Sequence, residues 1–216
     1  MIRARLPLAV LALLATSVAS AQVFEGAAGA FTVQSHTRFA TGRHEQAGPW
    51  FGGDVSVQFA RLRLGVSGGL GQLAGDADSV TADRTGRFTT LSLHYAFRPW
   101  VSIGGAVEAK VFETDLGTRA WLLIGPNVRL TPMLDDGSLE GLFDLTVWPS
   151  ARVVNGETMP LALRATVGAT YRLAASPIGI RVAYRFERFD FEGAAATARL
   201  EQFRGAMAGV VVRLAR

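Results

Sequence analysis

The stretch LALRATVGATYRL, residues 161–173, alternates apolar and polar side chains along its whole length. Leu163 and Val167 fall on one parity, and Arg164 and Arg172 fall on the other. Successive side chains of a β-strand point to opposite faces. The alternation therefore predicts a strand with one apolar face and one polar face.

About ten segments with this alternation lie between Gly29 and Leu214. Thr41–Gly48 and Leu73–Gly86 are polar and are predicted to be loops, whereas Ala60-Arg61 is predicted to be a tight turn. An even number of strands returns both chain ends to one side of a barrel, and short turns should alternate with longer loops. The sequence thus predicts an all-β fold, a closed antiparallel up-and-down β-barrel of about ten strands, with eight as the alternative.

The N-terminus carries the three parts of a secretory signal. Arg3 and Arg5 precede the apolar run 6–15, and Ala19-Ser20-Ala21 fits the small-x-small cleavage rule. The apolar run is too short for a spanning helix, which needs about 20 residues. We expect a signal peptide at 1–21, cleaved near Ala21, and one barrel domain at 22–216.

The composition of the remaining chain excludes several classes of protein. Without Arg3 and Arg5, 20 basic residues stand against 18 acidic ones, a net charge near +2, which argues against nucleic-acid binding. The chain has no cysteine, so disulfides contribute nothing to its stability. After residue 21 no apolar stretch is long enough for a spanning helix. A membrane role would fall to strands, because only helices and closed barrels satisfy every backbone group in lipid.

The two faces of the strands can be arranged in two ways. In a membrane barrel the apolar parity faces lipid, whereas in a soluble periplasmic ligand-binding barrel it would face inward. The polar parity mixes Arg, Glu, Asp, Gly and Thr, and the apolar parity is almost free of charge, which favours the membrane barrel. Aromatic residues toward strand ends are typical of interfacial girdles. These are Phe39, Phe51, Phe59, Tyr95, Phe97 and Tyr171.

A signal peptide followed by alternating strands up to the C-terminus resembles small bacterial outer-membrane β-barrel proteins of the OmpA/OmpX-like kind. The resemblance covers nearly all of 22–216 and rests on pattern rather than on a motif. It implies a bacterial outer-membrane location, contact with outer-membrane lipid and lipopolysaccharide, and insertion by the barrel assembly machinery. The chain departs from the pattern at its end, VRLAR (212–216), where such barrels usually carry an aromatic residue.

The polar parity supplies the candidate lumen residues. Buried charges must be paired or solvated. One interpretation is a salt-bridge network that fills the lumen of a structural barrel acting through its surface loops; the other is a narrow passive pore that favours anions, with a positive inner mouth. The sequence does not identify an external ligand or a solute. The candidates are Arg38, Asp54, Arg63, Glu108, Lys110, Arg129, Asp144, Arg164, Arg172, Arg181, Arg185 and Glu187.

A third function class is an outer-membrane lipid-modifying hydrolase. Ser92 and His94 share the polar face of one predicted strand. Their spacing sets them about 7 Å apart, too far for the hydrogen bond of an activated nucleophile. No orienting carboxylate can be identified, so the sequence predicts a protein that is not an enzyme.

The sequence predicts neither a cofactor nor a metal site. His36 lies in a predicted strand and His44 in a predicted loop, so they do not form a ligand pair. The aspartates at 76, 78 and 83 lack the glycine and terminal glutamate of a calcium loop. Trp121 and Trp148 fall on the polar parity, which predicts that they pack inside the lumen.

Overall fold

The structure is a computed structural model that describes residues 23–39, 42–75, 83–114, 117–134, 137–149, 151–153, 157–192 and 198–215. All regular elements of these ranges are β-strands. No helix among these residues is long and apolar enough to cross a membrane. The predicted signal peptide and its cleavage site lie outside the described residues.

Twelve strands form one antiparallel sheet. They are β1 (Val23–Phe39), β2 (Gly42–Phe59), β3 (Leu62–Gly75), β4 (Arg84–Arg98), β5 (Val101–Thr114), β6 (Gly117–Leu130), β7 (Met133–Leu134), β8 (Leu139–Trp148), β9 (Ala151–Val153), β10 (Thr158–Arg172), β11 (Ile178–Glu192) and β12 (Arg199–Ala215).

The sheet closes into a barrel because β12 pairs with β1 along the whole length of both strands. The short strands β8 and β9 together fill one strand position between β6 and β10, and β7 only extends β8 at its edge. The barrel therefore has ten strand positions. This confirms the predicted closed antiparallel barrel, and the eight-strand alternative is wrong.

The two ends of the barrel differ. One end, called here the terminal end, holds Val23 beside Ala215 together with the turns at 60–61 and 99–100. The opposite end, called the distal end, holds the connection between β3 and β4, of which residues 76–82 lie outside the described ranges. Both chain ends of the barrel thus lie on the same side, as the even strand count predicts.

Several strands are longer than the hydrophobic pattern predicts. Thr41–Gly48 was predicted to be a loop, but β2 begins at Gly42. The ends of the predicted loop Leu73–Gly86 likewise belong to β3 and β4. Polar residues can extend these strands for two reasons. Hydrogen bonds to the neighbouring strand pair their backbone groups. Residues in the lumen bind their side chains; for example, Arg84 donates a hydrogen bond to Gln46.

The apolar parity faces outward in nine of the ten strand positions. In β10, Val167 is 56% exposed and Tyr171 is 51% exposed, whereas Arg164 and Thr170 are buried inside. The inward orientation of the apolar parity that a soluble barrel requires is not observed. An outer apolar band, without Asp, Glu, Lys or Arg at outward positions, surrounds the barrel. It comprises outward residues within 24–32, 47–59, 62–70, 89–97, 101–111, 120–130, 139–147, 161–171, 178–186 and 206–214.

Strand β1 is the exception. Its odd-numbered residues point inward, so Phe31 packs against Trp50 with ring centroids 6.0 Å apart, and Ser35 accepts a hydrogen bond from Arg84. Phe39 shares this inward parity, whereas Arg38 lies on the outer face and is exposed. The prediction that Arg38 belongs to the lumen network is wrong, because the inward face of β1 is chosen by Phe31 and Val33, which pack in the lumen.

Pro126 lies inside β6, where a proline lacks the donor for a ladder hydrogen bond. The ladder with β8 begins at Asn127, and the ladder with β9 ends at Leu123. Pro126 thus falls where β6 has no ladder partner on that side. The break between β8 and β9 accommodates it.

Candidate functional site

The candidate site is the lumen, whose distal half is filled by an aromatic layer. All ten strand positions contribute at least one buried apolar side chain to it, and Leu123 and Trp148 are 0% exposed. Rings of Trp121 and Phe189 lie 4.9 Å apart, and those of Phe112 and Phe203 lie 5.2 Å apart. The layer consists of Val33, Trp50, Leu73, Phe88, Phe112, Trp121, Leu123, Trp148, Val153, Met159, Ala162, Phe189, Phe191 and Phe203.

A central ion network lies against the aromatic layer on its terminal side. It consists of Glu108, Lys110, Arg164, Arg185 and Glu187. Arg164 donates to Glu108, and Lys110 and Arg185 both donate to Glu187. The Lys110 Nζ atom lies 4.8 Å from the ring centroid of Phe189, a cation–π contact. Each cation is therefore held by a carboxylate or by a ring of the aromatic layer.

A terminal ion network occupies the lumen near the chain ends. Glu25 accepts a hydrogen bond of 2.8 Å from Arg181 and lies 3.5 Å from Arg63. Arg172 donates to Glu140 over 2.6 Å. Positive charge at this mouth is thus largely balanced by carboxylates. The network comprises Glu25, Asp54, Arg63, Glu140, Arg172, Arg181 and Arg213.

A distal ion network lies on the other side of the aromatic layer. Arg84 binds Glu201, and Arg199 donates to both Glu201 and Glu157. The two Arg199–Glu157 hydrogen bonds measure 2.6 and 2.9 Å. They hold the pKa of Glu157, which precedes β10, below its usual value. The Arg199 guanidinium also lies 3.8 Å from the Phe191 ring centroid, so it covers the aromatic layer on its distal side.

A cavity of about 160 Å³ lies between the terminal and central ion networks. The His94 Nε2 atom is bonded to Asn127 Oδ1, and the Asn127 side-chain nitrogen donates to Asp144 over 2.9 Å and to Thr146 over 2.7 Å. Gly104 lies between His94 and Asn127 in the sheet. A side chain at Gly104 would begin 1.9 Å from the Leu93 carbonyl oxygen, so glycine permits this close approach of the strands.

The structure brings eleven of the twelve predicted lumen residues together inside the barrel; Arg38 is the exception. Seven charged residues of the ion networks were not among the predicted lumen residues: Glu25, Arg84, Glu140, Glu157, Arg199, Glu201 and Arg213. Glu25 precedes the predicted start of the first strand, and Arg84 lies in a predicted loop. The aromatic layer was foreseen only at Trp121 and Trp148. Its sequence signal is aromatic side chains on the polar parity, which also carries Phe88, Phe112, Phe189 and Phe203.

Ser92 and His94 both point into the lumen, but each has its own partner. The Ser92 hydroxyl is 3.5 Å from the Gly65 carbonyl oxygen, and His94 is bonded to Asn127. Within the described ranges no hydrogen bond joins Ser92 to His94. The same ranges contain no group of three His, Asp or Glu residues that could hold a metal ion.

No protein-family model matches this sequence, and no curated protein matches it. Among solved structures, the outer membrane protease OmpT from Escherichia coli is similar, with a TM-score of 0.56 and 6% identity over 89% of this chain and 96% of OmpT. An outer membrane channel from Pseudomonas putida F1 gives a TM-score of 0.52 and 9% identity over 90% of this chain and 96% of the channel. Identity this low shows the fold alone. The chain therefore has the closed-barrel fold of bacterial outer-membrane proteins, as its sequence pattern indicates.

Proposed function

We propose that this protein is an integral outer-membrane β-barrel with a sealed lumen. Its role would be structural: the barrel presents the strand connections of its distal end at the cell surface for interaction. The aromatic layer carries this proposal. It spans the full width of the lumen, and ion networks cover it on both sides. A solute path would have to cross packed rings and paired charges, which argues against the alternative of a narrow passive pore.

Membrane insertion is supported by the outer apolar band. On β12 the band runs from 206 to 214, and a transmembrane strand needs about 9–11 residues. Exposed side chains in it, such as Val182 and Val210, are apolar where a soluble protein would place polar ones. Lipid is the partner that such a continuous apolar surface fits.

The orientation follows from the connections. Outer-membrane barrels have short turns on the periplasmic side and longer loops outside. The terminal end, with its tight turn at 60–61, would therefore lie in the periplasm, and the distal end would meet lipopolysaccharide and the exterior. The proposed partners are outer-membrane lipid, lipopolysaccharide and the barrel assembly machinery.

The fold alone does not choose a role, because barrels of this shape include a protease and a channel. A hydrolase role is left out of the proposal, since Ser92 and His94 are engaged with Gly65 and Asn127 instead of with each other. A nucleophile needs a base within hydrogen-bond reach.

Conductance in a planar lipid bilayer tests the sealed lumen. The unchanged protein should give no single-channel steps, and the double variant Trp121→Ala/Phe189→Ala should give them, because it removes two touching rings from the seal. Leu122→Ala/Phe186→Ala is the matched control, since it removes outward side chains from the same two strands. Steps from the unchanged protein would refute a sealed lumen. If the Trp121/Phe189 variant stays closed, the aromatic layer is not the seal.

A further inference from the structure

The cavity between the terminal and central ion networks exists because its walls are unequal. The inward residues of one wall, on β12, β1, β2 and β3, are mostly small, and Ala27, Gly29 and Gly65 are among them. The opposite wall carries long polar side chains, including Arg129 and Arg164. The long side chains do not fill the space that the small ones leave.

Among the described residues that line the cavity, Arg129 is the arginine that forms no ion pair with a carboxylate. Arg164, Arg181 and Arg185 each bind a carboxylate. Among the described residues the Arg129 side chain has no hydrogen bond or ion pair, and its buried Nε atom is unsatisfied. Asp144 lies opposite Arg129 in the β6–β8 ladder but accepts its hydrogen bond from Asn127. An unpaired guanidinium that lines a cavity favours an anion.

The surrounding charge favours an anion as well. In the central and terminal ion networks together with Arg129 and Asp144, eight cationic side chains stand against six carboxylates, an excess of two positive charges. The cations are Arg63, Lys110, Arg129, Arg164, Arg172, Arg181, Arg185 and Arg213, and the carboxylates are Glu25, Asp54, Glu108, Glu140, Asp144 and Glu187.

His94 adds a second unsatisfied group to the cavity wall. Its side chain is 2% exposed, and its Nδ1 atom has no hydrogen-bond partner among the described residues. The Asn127 amide nitrogen must face the Asp144 carboxylate, so Asn127 Oδ1 faces His94 and the Nε2 atom carries the hydrogen. In a neutral imidazole, Nδ1 is then an acceptor that suits a hydroxyl donor.

We propose that this cavity binds a small organic carboxylate that also carries a hydroxyl group. The carboxylate pairs with Arg129, and the hydroxyl donates to His94 Nδ1. The carbon skeleton lies against the small-residue wall and the Phe88 ring, which also line the cavity. This site goes beyond the structural role proposed above and does not depend on conductance.

Binding of three probes to the purified full-length barrel tests this site. Mandelate carries both groups, phenylacetate lacks the hydroxyl, and benzyl alcohol lacks the carboxylate. Each probe is present during refolding, so that entry into a closed lumen does not limit binding, and bound probe is measured by equilibrium dialysis. Mandelate should bind about tenfold more tightly than either of the others, the effect of one hydrogen bond of about 1.4 kcal/mol.

Variants locate the bound probe. Arg129→Gln should lower mandelate affinity to that of benzyl alcohol, and Ala27→Leu should abolish binding of all three probes by filling the cavity without touching an ion pair. Arg119→Gln is the control, because Arg119 lies on the same face of β6 near the distal end. A gel that separates folded from heat-denatured barrel checks that each variant folds. If Arg129→Gln does not fold, the effect of Ala27→Leu on probe binding tests the site in its place.

Three outcomes would overturn the proposal. The first is no binding of mandelate to the unchanged protein, as expected if Arg129 turns to Asp144 in solution. The second is equal binding of mandelate and phenylacetate, which would show that His94 does not recognise the hydroxyl. The third is unchanged mandelate binding by Arg129→Gln or Ala27→Leu, which would place the ligand elsewhere.

Discussion

Individual charges in this barrel differ widely in their surroundings, and β5 shows both extremes. Glu108 is fully buried and accepts hydrogen bonds from Arg164 and Thr90. Glu113 lies on the outer face, where about half of its side chain is exposed beside Arg87. A buried carboxylate compensates buried cations, whereas an exposed pair is screened by water.

Glu108→Gln should therefore lower the free energy of unfolding by about 3–5 kcal/mol, because it leaves the buried Arg164 without its carboxylate partner. Glu113→Gln should change it by about 0–1 kcal/mol. Urea unfolding of both variants in the same detergent measures the difference. Equal effects of the two substitutions would show that the central ion network contributes nothing to stability.

The distal ion network gives the barrel a pH dependence at Glu157. The Arg199 hydrogen bonds lower the pKa of Glu157 in the folded protein below the ordinary value of 4.5. The charged form is thus favoured by folding, and its contribution is present above about pH 4.5 and is lost as the pH falls through the folded pKa. Glu157→Gln should unfold at a midpoint that depends less on pH below 4.5 than the unchanged protein. Parallel pH profiles for the two proteins would contradict this.

At the scale of the element, periodicity identified the inward face of nine strand positions and failed at β1. In β1 both parities contain apolar and polar residues, so counting apolar residues cannot separate a lipid face from a lumen face. The odd-numbered residues of β1 face the lumen because Phe31 and Val33 complete the aromatic layer there. Small residues such as Ala28 and Ala30 lie on the outer face. This choice depends on neighbouring strands, which a single segment does not reveal.

A charge placed in the outer apolar band tests which solvent that face meets. Val182 lies outward at the middle of the outer apolar band on β11 (178–186), and Glu192 is exposed at the distal end of the same strand. Val182→Lys should cost about 2–4 kcal/mol of unfolding free energy in lipid vesicles, and Glu192→Lys should cost about 0–1 kcal/mol. If Val182→Lys is neutral in vesicles, the band does not face hydrocarbon.

At the scale of the whole molecule, the closed barrel, its ten strand positions and most lumen charges could be predicted from the sequence. Alternation fixes the face of a residue, and the order of the strands gives the end of the barrel at which it lies. The partners of each charge could not be predicted, because pairs such as Arg181 with Glu25 join residues far apart in sequence. Nor could the width of the aromatic layer, since it depends on how ten separate segments meet across the lumen.

The aromatic layer has a consequence for how this barrel could change over evolutionary time. Each strand position supplies part of the layer, so the circumference of the barrel is matched to the volume of its rings. Gaining a hairpin would open a gap at the centre, and losing one would crowd rings that are already in contact. A change in the number of strands therefore requires a change in the residues that fill the lumen. Duplication of one hairpin alone would not give a filled barrel.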